Sequence, residues 1–210
     1  SVSESNVFNI NDMPFHLAAL AEPMGCVLNG IDTIGAAHIN ESMIIGAGPM
    51  GLLMAFALQA KGADAVKIVD INEQRLQLAG ELGFEPIESH SKELIKCRRS
   101  MDLVVEATGK SSVAQSTIDY VANGGSALLF GICSPKSKIE ISPYELFRRQ
   151  INIGGSHSLN HNLIDSLSVI NQFEVPISKL VSHRVPIEEI KPFFESFGQK
   201  ETLKVQAIFE

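Results

Sequence analysis

The stretch "MIIGAGPMGLL", residues 43–53, leads a short apolar run into Gly46, Gly48 and Gly51 and out again into apolar positions. No other feature narrows the fold as much as this Gly-x-Gly-x-x-Gly spacing between a strand-like run and an amphipathic one. Backbone amides at a helix start hold a phosphate without side chains, and the helix dipole adds positive potential there. Such a site needs a close approach of the main chain. The first glycine permits a tight turn, the second clears space for a pyrophosphate, and the third lets helix and strand pack together. "AVKIVD" then ends a second strand at Asp70, 19 residues beyond Gly51, where a dinucleotide fold places the acid that receives the adenosine ribose.

Asp70 can accept hydrogen bonds from both ribose hydroxyls, and its charge repels the 2′-phosphate of NADP. Ile71 and Asn72 follow it and offer no cation to reverse that preference, so the expected cofactor is NAD.

From Met43 onward short apolar runs alternate with longer amphipathic ones, the pattern of βαβ units around a parallel sheet. The expected strands are Met43–Gly46, Ala65–Val69, Leu103–Ala107, Ala127–Gly131 and Ile151–Gly154, with a weak one at Phe84–Ile87. Helices are expected at Pro49–Lys61, Glu73–Leu82, Ser91–Lys96 and Ser112–Val121. Pro49 suits a first helical position, where its missing N–H is no loss, and Gly62 marks a helix stop. "FHLAALAEPMGCVLNGIDTI" reads as an apolar helix broken by Pro23, and "NHNLIDSLSVINQF" as a further helix capped by Asn160. The tail reads strand, helix, strand. "VVEATGK" and "ALLFGI" end strands at Thr108-Gly109 and Gly131, so these turns should face the ligand, as they do in open α/β sheets.

A net charge of -7 without a basic stripe disfavours a nucleic-acid or anionic-membrane partner. The short "KCRR" cluster reads as a solvated helix end. There is no apolar run of about 18 residues and no signal-peptide profile at the start, which reads as a cytoplasmic protein. Three widely spaced cysteines, Cys26, Cys97 and Cys133, suit reduced thiols rather than a disulfide framework.

With these pieces in order, the chain resembles the medium-chain dehydrogenase/reductase family, in its zinc-dependent polyol, sugar and threonine dehydrogenase branch. The resemblance is carried nearly end to end by "AALAEPMGCVLNGID", "IIGAGPMGLLMAFALQAKGA", "VDINEQR", "VVEATG", "GGSALLFGI", "INIGGSH" and "ISKLVSHRVPIEEIKPFF". It implies a Rossmann-type doubly wound parallel sheet with flanking remnants of a second, GroES-like catalytic domain. It also implies hydride transfer from a secondary alcohol to NAD, with zinc stabilising the alkoxide in the complete protein. The cofactor-facing set is then Gly46, Gly48, Pro49, Met50, Gly51, Asp70, Ile71, Arg75, Thr108, Gly109, Gly131, Ile132 and Ser156. Glu22 falls at the family's metal position, while Cys26, one turn later, is expected to be a packing residue. His157 and His161 are expected to be loop residues and His183 a structural one.

The family's upstream cysteine, its His-Glu pair and its four-cysteine structural zinc cluster have no counterpart in the sequence. The expected organisation is therefore the end of a catalytic domain with its linking helix (1–23), an NAD-binding domain (24–158) and a return segment (159–210). Such a chain should bind NAD without turnover by itself, act on a small-molecule alcohol in the complete protein, and pair through the edge strand near Gln150–Ile153 as a homodimer or homotetramer. A non-catalytic NAD-binding or redox-sensing module is the alternative. A zinc-free quinone-reductase-like relative is disfavoured by Glu22-Pro23 and Asp70.

Overall fold

The computed structural model describes residues 3–4, 7–36, 38–195 and 202–209. Six strands, β1 (Glu41–Ile45), β2 (Ala65–Asp70), β3 (Glu85–Glu88), β4 (Met101–Glu106), β5 (Val121–Leu129) and β6 (Asn152–Gly155), form one sheet in the order β3-β2-β1-β4-β5-β6. Every pairing in it is parallel. The chain starts in the middle, winds outward through β2 and β3, then crosses back to β4, so the direction of winding reverses between β1 and β4. A crevice opens beyond the strand ends at such a switch point.

Apolar residues alternate between two faces, and each face has its own core. Ile44, Leu103 and Val105 point into one cluster, Met43, Ile45 and Val104 into the other. Strands buried on both faces read as unbroken apolar runs, which is why β1 and β4 carry almost no polar positions in their centres. The larger cluster is roofed by α2 (Ala21–Ile34), α3 (Pro49–Ala60) and α8 (Leu163–Gln172). The run after the glycines is not amphipathic in effect: eight consecutive residues of α3, Gly51–Leu58, are buried, because sheet and helices enclose it on all sides. Phe56 anchors this layer edge-on to Phe84, with ring centroids 4.9 Å apart.

Several expectations are corrected. Pro23 does not break a helix; it sits in the first turn of α2, and the break falls between α1 (Phe15–Ala18) and α2. A proline there forfeits no helical hydrogen bond. β5 begins at Val121 rather than Ala127, and the helix before it, α6 (Ser111–Ser116), ends in a 3-10 turn at Thr117–Asp119. The segment "VANGGS" has the composition of a loop, yet it continues the strand through a register shift against β4, with Gly124 at φ +79°. The side chain of Arg149, only 6% exposed, braces this shift by donating to the carbonyls of Ile118 and Val121 and to Asn123 Oδ1. That arginine ends α7 (Pro143–Arg149), a helix absent from the sequence expectations although Ser142 caps it by accepting the Glu145 amide.

Between these lie α4 (Glu73–Glu81), capped by Asn72, and α5 (Lys92–Lys96), capped by Ser91. After α8 comes α9 (Glu174–Ser178). The tail forms β7 (Val181–Pro186), a 3-10 turn, α10 (Lys191–Glu195) and β8 (Lys204–Ile208), and the two strands pair in parallel as a separate sheet. Gln206 Nε2 donates to the His16 carbonyl at 2.7 Å, tying this small sheet to α1. No helix among the described residues is long and apolar enough to cross a membrane.

Candidate functional site

The loop between β1 and α3 shows three different uses of glycine. Gly46 takes φ +119°, outside the range open to other residues, and its amide donates to the Val69 carbonyl at 2.7 Å. Gly48 is the N-cap of α3, and a side chain there would meet nothing within 4 Å, so its outer face is open. A Cβ on Gly51 would collide with the Gly46 carbonyl oxygen. The turn, the open face and the close packing therefore fall at the first, second and third glycine, as the spacing predicts.

Asp70 closes the loop from the side. Its Oδ2 accepts the Ala47 amide at 2.7 Å, and Oδ1 accepts the amides of Ile71 at 2.7 Å and Asn72 at 2.9 Å. The acid at the tip of β2 is thereby joined directly to the glycine loop. A carboxylate offers about four acceptor sites, so three amides leave one, on Oδ2. The expectation of two ribose hydroxyls on Asp70 is met in this arrangement by room for one.

A cleft of about 800 Å³ runs over the carboxyl ends of β1, β2 and β4 and is lined by Gly46, Gly48, Asp70, Ile71, Arg75 and Thr108, among others. The expected residues Pro49, Met50 and Gly51 lie in α3 behind it. Gly109, Gly131, Ile132 and Ser156 do not line it either. A Cβ on Gly109 would collide with the Ile132 carbonyl across the β4 and β5 turns, Ile132 is 95% exposed, and Ser156 sits under α2 beside Gly30. Sequence reasoning passed over Ser89, Lys110 and Val113, which the winding of the chain brings to the same cleft from β3 and α6. Neither Ile71 nor Asn72 is a cation, but Arg75 and Lys110 both reach this space. The Arg75 Nε is buried without a hydrogen-bond partner. An orphaned donor, an open glycine cap and the start of the helix behind it together fit an anionic dinucleotide.

The candidate metal position is different in kind. Glu22 is exposed in the first turn of α2, and Cys26 Sγ donates to its Oε1 at 3.4 Å. Cys26 is thus more than a packing residue. Burial, then the hydrogen bond and charge of Glu22, push its thiol up to about 11. Among the described residues no three His, Cys, Asp or Glu side chains gather to hold a metal ion, so the residues present do not fit zinc by themselves. His157 and His161 are exposed, and the loop carrying them is held by Asn29 Nδ2 donating to the Ser158 carbonyl at 2.9 Å. The residue capping α8 is Asn162, not Asn160; its side chain is spent on the Gly25 carbonyl, 2.8 Å away. His183 pairs with Ser182 Oγ and lies 5.0 Å from the Phe193 ring, a structural setting.

Comparison with known proteins agrees with this geometry. The family model described as glucose dehydrogenase C-terminus matches residues 15–208. D-altritol 5-dehydrogenase of Agrobacterium fabrum is 41% identical over 210 residues, a match covering 98% of this chain and 62% of that protein. Among solved structures, a short chain alcohol dehydrogenase from E. coli complexed with NADH superposes with a TM-score of 0.88 at 18% identity, over 99% of this chain and 64% of its own. The Haloferax mediterranei glucose dehydrogenase, in complex with NADP, Zn and gluconolactone, gives a TM-score of 0.77 at 19% identity, over 91% and 58%. These two likenesses are of fold. The chain spans about three-fifths of the length of the relatives it matches.

Proposed function

This chain belongs to the glucose dehydrogenase C-terminus family, and from that premise we propose that it is the NAD-binding part of a zinc-dependent alcohol or polyol dehydrogenase, which moves hydride between a secondary alcohol and NAD. The observation that carries the reading is the 2.7 Å bond between the Ala47 amide and Asp70 Oδ2, which joins the phosphate-cradling loop to the sugar-selecting acid. Gly46, Gly48 and the start of α3 would hold the pyrophosphate, with Arg75 supplying positive charge and Lys110 lying toward the β4 turn. Asp70 would receive the adenosine ribose. Bound there, NAD supplies the hydride-accepting nicotinamide. The remaining free acceptor site on a carboxylate favours a hydroxyl over a phosphate, and this supports NAD over NADP.

Titrating the chain with NADH and NADPH, read by nucleotide fluorescence, tests this. NADH should bind at least tenfold more tightly. Failure to bind either nucleotide, or a preference for NADPH, would overturn the assignment of Asp70.

The wider proposals follow from the relatives. The substrate is a small polyol or sugar alcohol, in line with the D-altritol enzyme. The nucleotide-binding unit is 24–158, with residues 1–23 and 159–210 as flanking segments whose α1 and α8 pack onto its helical layer, and Glu22 contributes to zinc only alongside ligands from elsewhere in the complete protein. With one carboxylate at the metal position, this chain alone binds NAD without turnover. Metal analysis and a polyol assay of the purified chain check that statement; stoichiometric zinc with turnover would contradict it. The three free thiols suit a reducing compartment, which supports the cytoplasm. Among the described residues β6 ends the sheet with one side unpaired, which supports a homodimer or homotetramer through that edge, measurable by sedimentation.

A further inference from the structure

Glu106 is the last residue of β4 and is fully buried, an expensive place for a carboxylate unless its acceptors are used. They are used unevenly. Oε1 collects three donors, the Thr108 amide at 2.6 Å, the Thr108 hydroxyl at 2.5 Å and the Gly109 amide at 2.9 Å. Oε2 is buried and has no partner. The main-chain carbonyl of the same residue accepts the amides of Phe130 at 3.0 Å and Gly131 at 2.8 Å, at the end of β5. One residue thus holds the turns that follow two neighbouring strands.

The consequences reach the cleft. The Thr108 hydroxyl has a single proton, which goes to Glu106, and its lone pair accepts the Lys110 amide at 3.1 Å, so its orientation is fixed from both sides. Thr108 and Lys110 both line the cleft, whereas Glu106 does not. Across from them, a Cβ on Gly131 would stand 2.5 Å from Glu106 Oε2, and one on Gly109, at φ +70°, 2.6 Å from the Ile132 carbonyl oxygen. The two turns are seated on each other with Glu106 beneath them.

We propose that Glu106 is a positioning residue at the edge of the cleft: from outside, its carboxylate sets the β4 turn, whose Thr108 and Lys110 line the cleft, and the β5 turn seated on it, against which the nicotinamide half of a dinucleotide would lie. This rests on the dinucleotide reading above. The working atom is Oε1, as an acceptor, so Gln should replace Glu and Ala should not.

The test compares wild type, Glu106→Gln and Glu106→Ala by NADH titration, by ADP titration and by amide hydrogen exchange. ADP reports on the adenosine half at β1 and β2 alone. For Glu106→Ala, NADH binding should weaken at least tenfold and ADP binding stay within twofold, while the Thr108 and Gly109 amides exchange at least tenfold faster. Glu106→Gln should restore all three to within about threefold. The proposal is overturned if the Ala variant binds NADH and exchanges like wild type, or if it loses NADH and ADP equally, which marks a general structural defect. If wild type binds neither nucleotide, the dinucleotide reading fails instead, and the exchange rates alone decide whether Glu106 sets the turns.

Discussion

At Gly51 the obstacle to any other residue is an atom, the Gly46 carbonyl oxygen, rather than a torsion angle. Gly51→Ala must push α3 away from β1, and overpacking of this kind costs about 1–3 kcal/mol. Urea unfolding should show that loss, and NADH affinity should fall with it because the cradle moves. At Cys26 the sign follows from the raised thiol. In the folded chain it titrates at about 11 instead of its ordinary 9.0. A raised acid holds its proton longer in the folded state, so its contribution is fully present below about pH 9 and is lost as pH climbs toward 11. Alkylation of the Cys26 peptide, followed by mass spectrometry, should therefore stay slow through pH 9. Glu22→Gln should lower the midpoint only in part, since burial outweighs the carboxylate. The glycines and Asp70 were legible from sequence because each is required by backbone geometry at a fixed spacing. The Cys26–Glu22 bond was not, since one-turn spacing allows a contact without requiring it. Lys110 and Ser89 were hidden because only the winding of the sheet brings them to Asp70.

Among the elements, the strands of the sheet centre were plain from their unbroken apolar runs, and α3 from Pro49 at its start and Gly62 beyond its end. β5 was misread at its start, because Asn123, Gly124 and Gly125 carry a loop's composition and are held in the strand by a side chain 28 residues from Val121. That dependence is testable. Arg149→Met keeps much of the volume but removes the donors to Ile118, Val121 and Asn123, and should lower stability by about 3 kcal/mol in urea unfolding. Amides of residues 121–126 should lose exchange protection before those of β1 do. α7 shows the opposite lesson: its Ser-Pro-x-Glu start was a sufficient signal of an N-terminus.

For the molecule as a whole, the cleft couples ligand to stability, because its walls come from β1, β2, β4 and the helices that follow them. NADH at about 100 times its Kd should add about 2.7 kcal/mol. For a chain of this length that corresponds to a Tm rise of about 5–10 °C in a thermal scan, with NADPH giving less. The reversal of winding between β1 and β4 could be expected from the order of motifs, and the parallel pairing of β7 with β8 is the one that a strand, helix, strand tail favours. The clasp between Gln206 and His16 brings together residues 190 positions apart. The stretch between those two residues is a closed loop in space. Gln206→Ala should open it, and the amides of α1 and β8 should then lose exchange protection together while those of β1 keep theirs.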